Sequence, residues 1–396
     1  MIFFVVVGCG GAAPDAREVV TIIRTPTPNP DGDEGVAALV DVYFATDRQP
    51  FSGNLVRFQE QDGIISEDEI FGGNRNLNDE LMYGSLTITI PKSHSIGEIE
   101  EPVTKFNPGF EDGRFKIFRL EELDKGEHIL LETGQIYSED EFFSVISDYF
   151  GPEGDTKAFI FVHGFNVSFS DAAKRTAQLT YDLNFEGIPV FYSWPAVGGA
   201  ENYVTDLENI EWTEDHLEKF LVDFANRSNM DKIYIIAHSM GTRGFTNAYI
   251  DVLERHPDLS DRFEEIILAA PDIDRGVFRN RIAPQMVAAD APVTIYASSN
   301  DNALRASGAI RDENDRVGYI SSGSDAVFVY SGIETIDISS ADIFLDLDLL
   351  NHSAYGDRRE VMVDLNQIIR EGIRADERFG LRIRTDYQVP YWVLED

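Results

Sequence analysis

Cysteine is nearly missing from this chain. Cys9 is the single one in 396 residues, so no internal disulfide framework can form. Positive charge is scarce too. Against 70 acidic residues stand 33 basic ones, only 8 of them Lys, and the formal net charge is -37. A surface of that sign repels phosphate backbones, which sets nucleic acid aside as a partner. Two readings of the acid excess stand side by side: hydrated carboxylates that resist salting out, and plain solubility. No apolar stretch is long enough to cross a bilayer as a helix. Zinc-type His or Cys clusters and twelve-residue calcium loops are missing, and Asp342–Asp348 reads as a solvated helix face. No metal and no cofactor is therefore expected. Nor does any solenoid-type repeat interrupt the chain.

The two ends of the first segment differ in character. Met1 to Val7 is an apolar run, and Val6-Val7-Gly8-Cys9 resembles the lipobox at which bacteria cleave an exported chain and acylate the cysteine. Thr25 to Gly35 is proline-broken and acidic, the composition of an extended, unpacked tether. The expected layout is a signal segment over 1–8, a lipid on Cys9, a tether over 9–35 and a place in the cell envelope. The competing reading is a short buried strand with an ordinary cysteine in a cytoplasmic protein.

Beyond the tether, Leu39–Thr46, Tyr83–Ile90, Phe115–Leu120 and His128–Glu132 alternate or cluster as strands do. Polar, Gly-rich stretches such as Gly72–Asn76 separate them as loops. Residues 36–135 thus read as a β-rich extension. From about Tyr137 the rhythm changes. Apolar strands at Lys157–Val162, Ile188–Ser193, Lys232–Ala237, Glu265–Ala270, Pro292–Ala297 and Thr335–Ile338 alternate with helices. Those helices are expected over Ser170–Asn184 (capped by Ser170 or Asp171), Asp215–Arg227, Gly241–Arg255 and Ser353–Arg370. Such alternation means a parallel sheet covered on both faces, with functional groups at the carboxyl ends of its strands. Residues 136–396 are expected to be the catalytic domain.

Ser239 stands between the strand Lys232–Ala237 and the helix Gly241–Arg255, in Ala237-His238-Ser239-Met240-Gly241. Small residues on either side allow a sharp elbow that lifts the hydroxyl above the sheet and aims a helix N-terminus at it. The common form is Gly-x-Ser-x-Gly, and Ala237 replaces its first glycine. His163-Gly164-Phe165-Asn166 follows the strand Lys157–Val162, 76 residues earlier. An acyl-transfer site needs preorganised donors for a developing oxyanion, and the backbone N–H groups of Phe165 and Met240 are the natural pair. Asn166 either braces that loop or adds a side-chain donor.

Seven histidines are candidates for the base. His94 and His128 precede the core, His163 and His238 belong to the two motifs, and His216 and His256 lie in or beside helices. That leaves His352, after the last strand of the alternating series and before the closing helix. The orienting acid is Asp301, after the strand Pro292–Ala297, or else Asp272 or Asp274 after the preceding strand. The aspartates that are not the acid are expected to cap helices. Trp194, in Trp194-Pro195, either walls the substrate site or belongs to the core.

Five motifs together resemble a poorly characterised family of bacterial α/β-hydrolases, lipase- or esterase-like in kind. They are Phe159–Asn166, Phe191–Pro195, Ala237–Gly241, Ala269–Asp274 and Tyr296–Asp301, and Val42–Arg48 looks like the family's N-terminal signature. The resemblance implies the α/β-hydrolase fold and serine chemistry, and the order Ser, Asp, His is similar to that of lipases and esterases. The expected reaction is hydrolysis of a small-molecule or lipid ester through an acyl-enzyme on Ser239. An amidase or peptidase with the same triad is the alternative, as is a surface-anchored binding protein without turnover. Membrane contact is expected only through the lipid at Cys9. Expressed with its native leader in a Gram-negative host, the chain should fractionate with membranes, and Cys9→Ser should abolish that partition. A mature chain whose Cys9 is shown unmodified by mass spectrometry would end the anchor reading.

Overall fold

The computed structural model describes residues 27–28, 35–51, 70–101, 104–111, 114–119, 123–150, 156–289, 292–300, 315–322, 326–340 and 358–395. The expected signal segment 1–8, Cys9, Asp301, His352 and the acidic run Asp342–Asp348 lie outside them.

One large sheet organises the chain. Its strands are β1 (Val36–Thr46), β2 (Met82–Pro91), β3 (Leu130–Tyr137), β4 (Lys157–Val162), β5 (Ile188–Ser193) and β6 (Lys232–His238). They continue with β7 (Phe263–Ala269), β8 (Val293–Ala297), β9 (Glu334–Asp337), β10 (Leu381–Arg384) and β11 (Tyr391–Leu394). Across the sheet the order is β10-β11-β9-β8-β7-β6-β4-β5-β1-β2-β3. From β1 through β5, β4, β6, β7, β8 and β9 to β11 all neighbours are parallel. Antiparallel pairs occur at the margins, β1 with β2, β2 with β3, and β10 with β11. This is the α/β-hydrolase fold that the motifs implied.

The β-rich extension is not a separate layer. β1 runs parallel to β5, with Val190 opposite Tyr43 and Ser193 opposite Thr46, so the N-terminal strands continue the same sheet. The tether is partly docked as well: Thr27–Pro28 pairs antiparallel with Leu39 and Ala38 of β1. The Gly-rich stretch expected as a loop is instead a strand, Phe71–Arg75, paired with Arg48–Pro50. The strand expected at Phe115–Leu120 is Arg114–Arg119, which pairs with Thr104–Glu111 in a hairpin apart from the main sheet.

Residues in the central strands are apolar on both sides because helices cover both faces. Ala158, Ile160 and Val162 of β4 join one core and Phe159 and Phe161 the other. The first core takes the inner faces of α1 (Glu139–Ser147), α3 (Tyr203–Arg227) and α4 (Gly241–Arg255). The second takes α2 (Phe169–Asp182) and α5 (Arg358–Asn366). Each large apolar side chain removed from water here stabilises the fold by roughly 1.5–3 kcal/mol before entropy is counted.

Two helix starts differ from expectation. α2 is capped by Ser168, whose hydroxyl accepts from the Asp171 N–H at 3.1 Å while the Asp171 carboxylate takes the Ser168 N–H. This capping box begins the helix a residue early and makes Asp171 its third residue rather than its cap. α3 begins at Tyr203, twelve residues before Asp215. Its inner face explains the miss: Asp206, Asn209 and Thr213 are buried and polar among Tyr203, Leu207 and Ile210, and only from Leu217 are the buried apolar residues closely spaced. Among the described residues no helix is long and apolar enough to cross a membrane.

Candidate active site

Strand order reverses at β4. The chain passes from β4 to β5 on one side, then returns through α3 to place β6 on the other. At such a switch point the connections on the two sides part, leaving a crevice above the carboxyl ends of the strands. The His163 loop and Ser239 follow the two strands that border it.

Ser239 occupies the left-handed region at φ 48°, which a non-glycine residue enters only under constraint. The constraint is visible. Its N–H donates to the Ala269 carbonyl at 2.9 Å, and its own carbonyl accepts the Thr242 N–H, the Thr242 hydroxyl and the Asp272 N–H. The turn places Ser239, half-buried, at the N-terminus of the fifteen-residue α4. There the helix dipole favours negative charge.

The two motifs interlock through their glycines. A Cβ on Gly241 would stand 2.1 Å from the His163 carbonyl oxygen. A Cβ on Gly164 would stand 2.7 Å from His238 Nδ1 and 3.0 Å from the Ser239 Cβ. Only with hydrogen at both places can the loop after β4 lie against the elbow. Phe165 and Met240, the two expected backbone donors, follow Gly164 and precede Gly241.

The loop is held from below. The Trp194 indole N–H donates to the His163 carbonyl at 2.7 Å, and its ring stacks on the His163 ring. Trp194 is fully buried and packs in the first core. Asn166, at φ 59°, accepts the Gly199 N–H on Oδ1 at 2.7 Å, the bracing role. Asp206 accepts the N–H groups of Val197 and Gly198, and Asn209 donates to the Pro195 carbonyl. The polar half of the α3 face thus binds the backbone of the loop that follows β5.

Beneath both loops lies Arg48, from the N-terminal signature. It is fully buried, and burial pushes its pKa down to about 10, still well above neutrality. Nε donates to Ser193 Oγ at 2.8 Å; Nη1 donates to the carbonyls of Gly72 and Ala196, both at 3.2 Å. Nη2 reaches the Val167 carbonyl at 2.8 Å and His163 Nε2 at 3.2 Å. Because a guanidinium only donates, His163 Nε2 must accept, and the Nδ1–H then donates to the Gly164 carbonyl at 2.9 Å. Burial, and then Arg48, hold the His163 pKa well below its ordinary value. This imidazole is neutral and fully engaged.

Of the other histidines, three are held by partners and one stands at the far end of α4. His94 lies between Glu100 and Asp182, and although burial opposes it, those carboxylates raise its pKa to about 9. His216 lies between Asp47 and Asp79. His128 accepts the Asp124 N–H. His256 closes α4 at the end away from Ser239, about 22 Å along a fifteen-residue helix. For His238, burial lowers the pKa to about 3. Among the aspartates, Asp274 caps the turn Arg275–Val277 by accepting the Val277 N–H. Asp272 is buried, ion-paired with Arg316 at 3.2 Å and bonded by the Tyr203 hydroxyl at 2.9 Å. Asn300 and Ser340, the last described residues before Asp301 and His352, stand beyond the carboxyl ends of β8 and β9.

Two residues of this region escaped the sequence reading. Arg48 is one. The other is Tyr203, whose ring packs edge-on against Phe165 while its hydroxyl holds Asp272.

Residues 138–371, more than half of the chain, match the family described as alpha/beta hydrolases of unknown function, DUF900. The chain belongs to that family. No curated protein matches this chain. Among solved structures it is similar to Aspergillus fumigatus lipase B, at 13% identity and a TM-score of 0.30. That match covers 48% of this chain and 46% of the lipase, so it spans less than half of the lipase's length. It is also similar to a structure from a study of two Rhizomucor miehei esterases, at 10% identity and a TM-score of 0.37, covering 85% and 84% of the two chains.

The glycine contacts give a direct test of the interlock. Neither glycine has positive φ, so alanine at either acts through the added methyl alone. Gly241→Ala drives that methyl into a backbone carbonyl and should destabilise the protein by roughly 1–3 kcal/mol or more in urea melts. A wild-type melt in that variant would show that the motifs are not in contact.

Proposed function

We propose that this protein is a serine hydrolase that cleaves a carboxylic ester through an acyl-enzyme on Ser239. The observation that carries the proposal is the interlock of the His163–Asn166 loop with the elbow. It brings the candidate donor segment against a serine held in left-handed backbone. In the proposed cycle Ser239 Oγ attacks the ester carbonyl carbon and its proton passes to His352. The carbonyl oxygen, now negative, is met by the N–H groups of Phe165 and Met240. The carbon–oxygen bond to the alcohol then breaks, and His352 returns the proton to the leaving alkoxide. Water, deprotonated by the same histidine, attacks the acyl-enzyme and frees the acid and Ser239.

His352 is favoured as the base by its place in the chain after the last strand of the alternating series, while burial holds His163 and His238 neutral and carboxylates pair with His94 and His216. Asp301 is favoured as the acid because Asp274 caps a turn and Asp272 holds Arg316 and Tyr203. The substrate class proposed is a small-molecule or lipid ester. A panel of esters of rising acyl length, run beside matched amides, reads both chain length and bond preference.

Ser239→Ala should abolish labelling by a fluorophosphonate and lower ester turnover by on the order of a million-fold, with an unchanged circular dichroism spectrum. Persistent labelling would move the nucleophile elsewhere.

The acid is tested by a pair of substitutions. Asp301→Asn leaves the imidazole in the wrong tautomer and should lower turnover by on the order of 10⁴ with stability kept. Asp272→Asn weakens a buried ion pair and should show mainly as a lower melting temperature. The reverse pattern would make Asp272 the acid.

A further inference from the structure

Arg48 carries a full charge into the protein interior, yet among the described residues no carboxylate lies within ion-pair distance of it. Its five acceptors are neutral: three carbonyls, one hydroxyl and one imidazole nitrogen. Asp47, Asp206 and Asp171 favour the charge only from farther away. Burying a charge on such terms is expensive, and an apolar side chain would fill the space at lower cost.

The acceptors are not scattered. His163 and Val167 are the two ends of the turn Gly164–Asn166, and one nitrogen, Nη2, reaches both. Ser193 and Ala196 flank Trp194, whose indole holds the His163 carbonyl. Ser193 Oγ also lies 3.2 Å from His163 Nε2, so hydroxyl, imidazole and guanidinium form a closed triangle. That carbonyl in turn lies against Gly241 of the elbow. A three-residue turn fixed at both ends has little freedom left, and Phe165 is its middle residue.

We propose that Arg48 is a positioning residue of the acyl-transfer site: by clamping His163 and Val167 together it fixes the direction of the Phe165 N–H relative to Ser239. The proposal rests on the serine-hydrolase reading above. Donors for an oxyanion act only when held in place beforehand, so a small swing of the turn weakens the transition state more than substrate binding. Lysine cannot substitute, because one ammonium has three donors and no planar fork to span five acceptors.

The test compares an activated oxo-ester with its thiono counterpart, in which sulfur replaces the carbonyl oxygen. Sulfur gains far less from aligned N–H donors, so the ratio of the two kcat/KM values reports the donors and cancels the fraction of folded enzyme. Arg48→Lys should lower kcat on the oxo-ester by on the order of 10²-fold with KM within about twofold. The oxo-to-thiono ratio should fall by about tenfold. Arg48→Met should fall further. Where that variant does not fold, Ser193→Ala, which removes one contact and keeps the charge, should still lower the ratio. Active sites are counted by fluorophosphonate titration in every sample. An unchanged ratio with fewer titrated sites would make Arg48 merely structural and overturn the clamp. A wild type that neither titrates nor turns over ester would instead bring down the hydrolase reading, and the clamp with it.

Discussion

A guanidinium that has left water must recover its lost hydrogen bonds from the protein, and Arg48 recovers them from four separate parts of the chain. It draws Gly72, the loop after β4, the end of β5 and the loop beyond it toward one plane. The neighbouring Thr46 hydroxyl adds a bond to the Ser193 carbonyl at 2.6 Å. Leaving one such donor unsatisfied in the interior costs on the order of 1–3 kcal/mol, more for a charged group. The register of β1 beside β5 is therefore tied to the loops above the sheet. A one-residue slip would turn Arg48 to the other face and strand its charge.

Three of the six left-handed non-glycine residues among the described ones stand above the same part of the sheet. Asn166, Ser239 and Ala270 all hold left-handed backbone without being glycine, and each follows one of the adjacent strands β4, β6 and β7. Their conformations are held by bonds between loops: Gly199 N–H to Asn166, Ser239 N–H to Ala269, Ala270 N–H to Tyr296. Each such conformation costs on the order of 1–3 kcal/mol, which the apolar layers on both sheet faces offset. Rigid strands thus fix the point from which each strained turn departs.

Much of this was readable in the chain. Six-residue apolar runs alternating with helices gave β4, β5, the elbow strand and α4 to within a residue, because burial on both faces forces continuous apolar sequence. The elbow serine and the His-Gly loop were found because their geometry demands small residues at fixed places. What escaped depends on distant partners. Arg48 meets His163 across 115 positions and Ala196 across 148, and nothing in the local sequence marks such a meeting. The first half of α3 was hidden by its function, since Asp206, Asn209 and Thr213 fill positions where helical periodicity calls for apolar residues. The Gly72 strand was missed because glycine is a poor strand former, yet a Cβ on Gly73 would lie 2.7 Å from Ala196 and Val197 backbone atoms.

The placement of β1 also orders events during synthesis. β1, β2 and β3 form an antiparallel meander that can pair as soon as residue 137 has been made. On the other edge of β1, beyond the short Thr27–Pro28 pair, Tyr43–Thr46 belong to β5, whose residues 188–193 come more than fifty positions later. Until then the Tyr43–Thr46 end of β1 lacks its parallel partner, and an open strand edge is the kind that captures other chains. Closing it requires a long loop, and long-range parallel pairing is slow. The arrival of β5 closes the Tyr43–Thr46 part of that edge.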